Sequence, residues 1–196
     1  MGFLKGKTAI ITGGGRSVLK DGSCGSIGYG IATAYAKEGA NLVITGRNKQ
    51  KLADAKEELE RLYNIEVLPV QADVSAGADN ETVVRNVIDE TIAKFGRIDV
   101  LINNAQASAS GVAANEWGPD GINANIICPL AWTAQLENFQ QAYPKAFEAN
   151  VKMPPAGHYG DVEKEIGRVC VQLASPDFKY MNGETLTLEG GMGLRP

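Results

Sequence analysis

Apolar and polar positions along this chain alternate between two periods. Lys7-Thr8-Ala9-Ile10-Ile11-Thr12 is a short β-branched run ending in Gly13-Gly14-Gly15, and from Gly25 onward Ile27, Ile31, Ala34 and Tyr35 recur at helical spacing until Gly39. A second apolar run, Asn41-Leu42-Val43-Ile44-Thr45, follows at once. The spacing therefore predicts strand, glycine-rich turn, helix, strand. The pattern then repeats, with a helix over 51–63, a strand over 66–71, a helix over 82–95 that buries Val83, Val84, Val87, Ile88 and Ile92, and a strand over 98–102. Strands alternating with helices predict an α/β fold: a parallel sheet covered on both faces and doubly wound by right-handed crossovers. Its functional crevice is expected at the carboxyl ends of the strands.

The later pattern is less regular. Between 130 and 158, Trp132, Leu136, Phe139, Tyr143, Phe147, Val151 and Met153 stand at roughly helical spacing ahead of Pro154-Pro155. That predicts either a helical lid over a bulky apolar ligand or a helical hairpin packed on the sheet. A helix over 162–173 and a strand over 185–188 follow.

Composition narrows the picture. With 196 residues, 44% of them hydrophobic, and no Pro/Gly/Ser-rich linker, a single domain over 1–196 is expected. No apolar run approaches a membrane span, and the first strand begins too early for a signal peptide. Met1-Gly2 makes no lipidation signal, because Gly6 stands where Ser or Thr is needed. A net charge of −4 with scattered Lys and Arg argues against nucleic-acid partners. Cys24, Cys128 and Cys170 are odd in number and lack metal-ligand spacing, so reduced thiols and a cytoplasmic location are the default. His158 is the sole histidine, and no metal site is expected.

The first turn carries the candidate chemistry. Small residues between a strand and a helix let backbone approach a pyrophosphate lying on the helix N-terminus. In NAD-selective proteins an acid at the end of the second strand binds the ribose hydroxyls, whereas Gly46-Arg47 stands here. Arg47 would pair with a 2′-phosphate, and Arg16 in the turn would be a second cation. Either arginine alone also fits a solvated surface, but together they favour NADP over NAD.

These residues resemble the short-chain dehydrogenase/reductase family. Thr12-Gly13-Gly14-Gly15 is similar to its cofactor turn, Asp73-Val74 to its adenine-contacting pair, and Asn103-Asn104-Ala105 to its signature after the fourth strand. Glu116 to Pro129 resembles the end of its catalytic helix and its sixth strand, and Gly183 to Gly191 its closing strand. The insertion Ser17 to Cys24, followed by Ser26-Ile27-Gly28, is similar to the branch containing enoyl-acyl-carrier-protein reductases. The resemblance implies an NADP(H)-dependent oxidoreductase acting on an alcohol or ketone, steroid-like given the aromatic lid. It implies cofactor contacts from Gly13, Arg16, Ser26, Ile27, Arg47, Asp73, Val74, Asn104, Ala105 and Thr133. Residues 1–105 then form the cofactor-binding half, 106–114 a shortened junction, and 115–196 a second half with the lid at 130–158.

Departures from the family bear on activity. Gln106 replaces the signature glycine, Leu130 follows Pro129 where glycine is expected, and Thr133 comes one position early. Between Ala105 and Asn115 the family has a helix, a strand bearing its catalytic serine and most of a helix bearing tyrosine and lysine, roughly 40 to 50 residues by ordinary element lengths. Here only Gln106 to Ala114 remain. None of Tyr29, Tyr35, Tyr63, Tyr143, Tyr159 or Tyr180 has a lysine four or seven residues later, and Ser108 and Ser110 read as loop hydroxyls. No catalytic residue is assigned. The favoured account is an oxidoreductase whose catalytic segment is missing from this sequence; a natural non-catalytic nucleotide-binding module or partner subunit, and weak activity from Tyr159, are the alternatives. A truly short chain would be a monomer or dimer, and a chain with the segment restored a tetramer. Loss of the fifth strand would leave the strand over 98–102 with an open edge or pair it directly with 122–128.

Overall fold

The computed structural model describes residues 2–73, 80–104 and 110–193, with the side chains of 110–112 left aside. Strand β1 (Thr8–Thr12) is buried along its whole length and pairs in parallel with β2 (Asn41–Gly46) and β4 (Val100–Ile102), while β2 also pairs in parallel with β3 (Val67–Gln71). The strand order is β3-β2-β1-β4, all parallel as expected, and its centre is apolar on both faces because helices cover both. Ile11, Leu42 and Ile44 pack under α1 (Ile27–Lys37) and α2 (Lys49–Tyr63), and Ile10, Val43 and Val70 under α3 (Asn80–Phe95).

The C-terminal half adds α4 (Ser110–Trp117), β5 (Ile126–Pro129), α5 (Ala134–Ala142), α6 (Pro144–Asn150), α7 (Arg168–Leu173) and β6 (Thr185–Leu188). It joins the first half chiefly through α1. A Cβ on Gly30 would lie 2.4 Å from the Val162 carbonyl oxygen, and one on Gly167 would lie 2.9 Å from the Ala34 Cβ. Bare backbone on both sides sets this close approach.

Several expectations are corrected. The predicted helix over 162–173 is divided into a π-helical turn, Val162–Gly167, and α7. The predicted strand over 98–102 is reduced to three residues. Within 130–158 helices occupy only 134–142 and 144–150; Tyr143 leaves helical geometry at φ −138°, where the chain turns into Pro144. The expected burial of Val84, Ile88 and Ile92 fails, since these are 41%, 41% and 46% exposed. The apolar stripe of α3 is two rows wide, and only the row of Val83, Val87 and Thr91 meets protein; the adjacent row needs a neighbour that the described residues do not supply.

The sheet shows the same deficit. β5 and β6 form their own two-stranded parallel sheet, and no described strand pairs with β4 on the side away from β1. Of the two outcomes foreseen for the missing strand, the open edge is the one found. Residues 110–117, spanning part of the expected junction, form a continuous helix rather than a strand.

Candidate nucleotide-binding site

The end of β1 and the start of α1 are locked together by backbone. Gly13, at φ 73°, and Gly14 both donate their N–H groups to the Thr45 carbonyl at the end of β2, at 2.9 and 3.1 Å. A left-handed φ of this kind suits glycine. Gly28 lies so close that a Cβ there would be 2.3 Å from the Gly13 oxygen. Asn104, just beyond β4, closes the other flank by donating its side-chain amide to the Thr12 carbonyl at 3.0 Å. The turn is thus built from one residue of each neighbouring strand end.

At the mouth of this turn Ser26 is the N-cap residue of α1, in extended geometry, yet its side chain makes no capping bond. Its Oγ is buried and has no hydrogen-bond partner. A cap hydroxyl ordinarily satisfies one of the free N–H groups of the first turn, so an unpaired one beside those N–H groups is suited to a ligand. Ile27 follows as the first helical residue and lines a neighbouring cavity of about 570 Å³.

The two arginines differ in their surroundings. Arg16 donates its backbone N–H to the Lys51 carbonyl at 2.8 Å and its Nε to Glu58 Oε2 at 2.7 Å. Glu58 also accepts the Tyr29 hydroxyl at 2.5 Å. Burial pushes the Tyr29 phenol well up, and the adjacent carboxylate adds to it. Burial also pushes Glu58 upward, but the hydrogen bonds from Tyr29 and Arg16 outweigh it and hold the carboxyl below its usual range. Arg47, directly after β2, is exposed and has no side-chain partner among the described residues. Its carbonyl accepts from Gln71, and Asn48 next to it caps α2 through Lys51 N–H at 3.0 Å.

Asp73 is half-buried, two residues beyond β3. Val74, Ala105 and Ser108 lie outside the described residues. Thr133 caps α5, accepting the Leu136 N–H at 3.3 Å, and lines the same cavity as Ile27. Leu136, Phe139, Val151 and Met192 give that cavity apolar walls, and Lys152 and Tyr159 stand among the remaining lining residues. Trp132, beside it, makes edge contacts with Phe147 and Tyr159 at 6.1 and 6.0 Å between ring centroids.

The groups nearest to an acid pair do not converge. The Tyr159 hydroxyl donates to the Lys152 carbonyl at 2.9 Å, while Lys164 faces Asp161 at 3.4 Å. His158 is engaged with Glu165, at 2.9 Å from Nε2, and that carboxylate raises its pKa. Cys170 is buried, which pushes its thiol up to about 12, so it is no nucleophile at neutral pH.

Sequence reasoning missed Glu58 and the bond by which Asn104 holds the Thr12 carbonyl. A tyrosine at the start of a tightly buried helix was the available signal, because its hydroxyl needs a polar partner.

Comparison with known proteins agrees with this geometry. The family model described as short chain dehydrogenase matches residues 7–113, and that described as Enoyl-(Acyl carrier protein) reductase matches 107–193. A 12alpha-hydroxysteroid dehydrogenase from Clostridium sp. is 49% identical over 266 aligned positions that take in 100% of both chains. Those 266 positions against 196 residues leave about 70 without a counterpart here. A short-chain dehydrogenase/reductase from Burkholderia xenovorans has the same fold, with a TM-score of 0.84 at 19% identity over 100% of each chain. The L-sorbose reductase of Gluconobacter frateurii, solved with NADPH and L-sorbose, superposes with a TM-score of 0.80 at 19% identity over 98% of each chain. From its glycine turn to its closing strand, this chain belongs to the short-chain dehydrogenase/reductase family of oxidoreductases.

Proposed function

We propose that the chain binds NADP(H) at the β1–α1 turn and lacks the groups that complete hydride transfer to a ketone. The observation that carries the first half is the buried, unpartnered Ser26 hydroxyl at the N-terminus of α1, beside a turn whose glycines let β1 and α1 approach until a Cβ on Gly28 would lie 2.3 Å from the Gly13 oxygen. Arg47, free at the end of β2, would meet the 2′-phosphate, where NAD-selective proteins carry an acid. Arg16 is already neutralised by Glu58 and serves the turn's shape more than its charge. Asp73 and Val74 would meet the adenine, Asn104 and Ala105 would line the nicotinamide side, and Ile27 and Thr133 would meet its carboxamide end. The NADPH carried by the sorbose reductase structure is consistent with this preference.

When bound, the nicotinamide supplies a hydride donor or acceptor. A carbonyl that takes a hydride must also gain a proton, and a phenol does this at neutral pH only when a nearby ammonium lowers its pKa. Tyr159 and Lys164 are each committed elsewhere, so no described pair performs that task. Loss of general acid catalysis alone removes a factor of about 10² to 10⁴.

The parent activity is oxidation or reduction of an alcohol or ketone on a steroid-like skeleton, in the cytoplasm. The hydroxysteroid dehydrogenase relative and the apolar cavity walls support that substrate class. A non-catalytic nucleotide-binding module or partner subunit is the second reading, favoured by the same commitment of Tyr159 to the Lys152 carbonyl and of Lys164 to Asp161. As a short chain it would be a monomer or dimer by light scattering, and a tetramer would contradict the shortened reading.

Fluorescence titration with NADPH and NADH tests the cofactor assignment. NADPH binds more tightly, and Arg47→Asp weakens NADPH at least tenfold while changing NADH less than threefold, as expected for a lost charge-assisted contact of about 1.5–3 kcal/mol. Equal weakening of both would remove the 2′-phosphate role.

A further inference from the structure

The insertion between Arg16 and Ser26 has no part in the reading above, yet it is well built. Ser17 to Gly25 folds into a small hairpin: Leu19 N–H donates to the Ser23 carbonyl at 2.8 Å, Gly25 N–H to the Ser17 carbonyl at 2.7 Å, and Val18 bridges Cys24 antiparallel. Asp21 braces its tip by accepting from Ser23 N–H and Oγ at 2.9 and 2.6 Å. The outer side of this hairpin reaches α5. The Ala134 N–H donates to the Gly25 carbonyl at 2.8 Å, and the Lys20 N–H donates to Glu137 Oε2 at 3.2 Å.

Helix α5 needs such an anchor. It is nine residues long and has no buried residue, so neither length nor burial holds it in place. Phe139 packs it on its own hairpin partner, against Tyr143 and Phe147 at 6.0 and 6.1 Å, and just ahead of it Trp132 N–H donates to the Gly160 carbonyl at 2.9 Å. Yet α5 supplies Leu136 and Phe139 to the cavity wall that faces Ile27, the first residue of α1. The N-termini of the nucleotide helix and the cavity helix therefore meet on one short hairpin.

We infer that the inserted hairpin Ser17–Gly25 is the positioning element of the cavity: through Glu137 and the Gly25 carbonyl it docks α5 against the start of α1 and so couples nucleotide binding to the shape of the apolar cavity. The coupling rests on the NADP(H) reading, whereas the docking does not. A nucleotide seated on Ser26 and Ile27 stiffens the chain next to Gly25, and that stiffening passes to Ala134 and Lys20 by two hydrogen bonds. By reciprocity, a ligand packed on Leu136 and Phe139 tightens nucleotide binding by the same factor. Glu137 is a positioning residue, since it touches neither ligand.

Amide hydrogen exchange read by mass spectrometry on α5, α6 and α1 peptides of the full chain tests this. In Glu137→Ala, α5 exchanges about tenfold faster while α1 is unchanged, and Glu137→Gln, which retains an acceptor for Lys20 N–H, recovers most of the protection. Glu148→Ala on α6 is the control and leaves α5 as it is. Adding NADPH slows α5 exchange severalfold in the unaltered chain and has no such effect in Glu137→Ala, although NADPH still binds with its original affinity. Unchanged α5 exchange in Glu137→Ala, or equal acceleration of α5 and α1, overturns the docking role. NADPH that binds without slowing α5 overturns the coupling, and NADPH that fails to bind overturns the coupling together with the cofactor reading while leaving the docking decided by the exchange of the free protein.

Discussion

Two strands of one sheet, β2 and β4, stand in opposite conditions. Leu42, Val43 and Ile44 on β2 are wholly buried, whereas Leu101 on β4 is 52% exposed beside the uncovered α3 stripe. Both runs read alike as apolar β segments. What separates them is the number of neighbours: β2 has a strand on each side and helices on both faces, whereas among the described residues β4 pairs with β1 alone and packs only Val100 and Ile102 on the core. A parallel strand depends on its crossovers for cover, so removing one segment exposes an edge and a face together. The nucleotide turn lies on the complete side of this divide and the catalytic groups of the family belong to the incomplete side.

The comparison is sharpest with the same substitution on each strand. Leu42→Ala is expected to cost about 2–5 kcal/mol in guanidinium unfolding, and Leu101→Ala less than about 1 kcal/mol, because only the first opens a cavity. Equal costs would mean that β4 is covered in solution. Gly30→Ala comes next, since its Cβ would press on the Val162 carbonyl at 2.4 Å and push the halves apart, costing about 1–3 kcal/mol by overpacking. Tyr29→Phe deletes a hydrogen bond to the Glu58 carboxylate and should cost about 1.5–3 kcal/mol by thermal unfolding, lowering NADPH affinity by less than Arg47→Asp does.

The smallest effect expected is on pH dependence. Burial raises the Asp99 carboxyl, but hydrogen bonds from Arg97, Thr8 N–H and Lys7 outweigh this and hold it low, as Tyr29 and Arg16 do for Glu58. A carboxyl depressed on folding contributes stability that is complete above its unfolded pKa, about 4 to 4.5, and is lost as pH falls through the lower folded value. Stability should therefore be flat from pH 5 to 7 with respect to these two groups and decline below about pH 4. Asp99→Asn should flatten that decline; an unaltered acid limb would show that the ion cluster contributes nothing.

The first half of the fold was legible because its pattern is local. Thr8–Thr12, Asn41–Gly46 and the glycine turn declare themselves by period and by Gly13 and Gly28. The doubled stripe of α3 predicts burial of both rows, since periodicity reports which faces are apolar and not whether a neighbour is present to cover them. The π-helical turn at Val162–Gly167 looks like ordinary helix in the sequence because it shares the helix's apolar spacing, and in the structure it lies where Gly30 and Gly167 approach closely. At the candidate site, Gly13 and Arg47 are proposed from type and spacing, and Ser26 and Asn104 from the family resemblance. Glu58 was not, because only the fold brings it to Arg16 and Tyr29 from 42 and 29 residues away.

In the proposed function a complete nucleotide turn coexists with an incomplete catalytic constellation. The most direct test of that combination is NADPH consumption by the NADPH-saturated protein, of confirmed intact mass, in the presence of a steroid ketone. Saturable NADPH binding with turnover at least 10²-fold below that of the full-length hydroxysteroid dehydrogenase relative is the expected result, following from the missing general acid. Turnover within tenfold of that relative would contradict it.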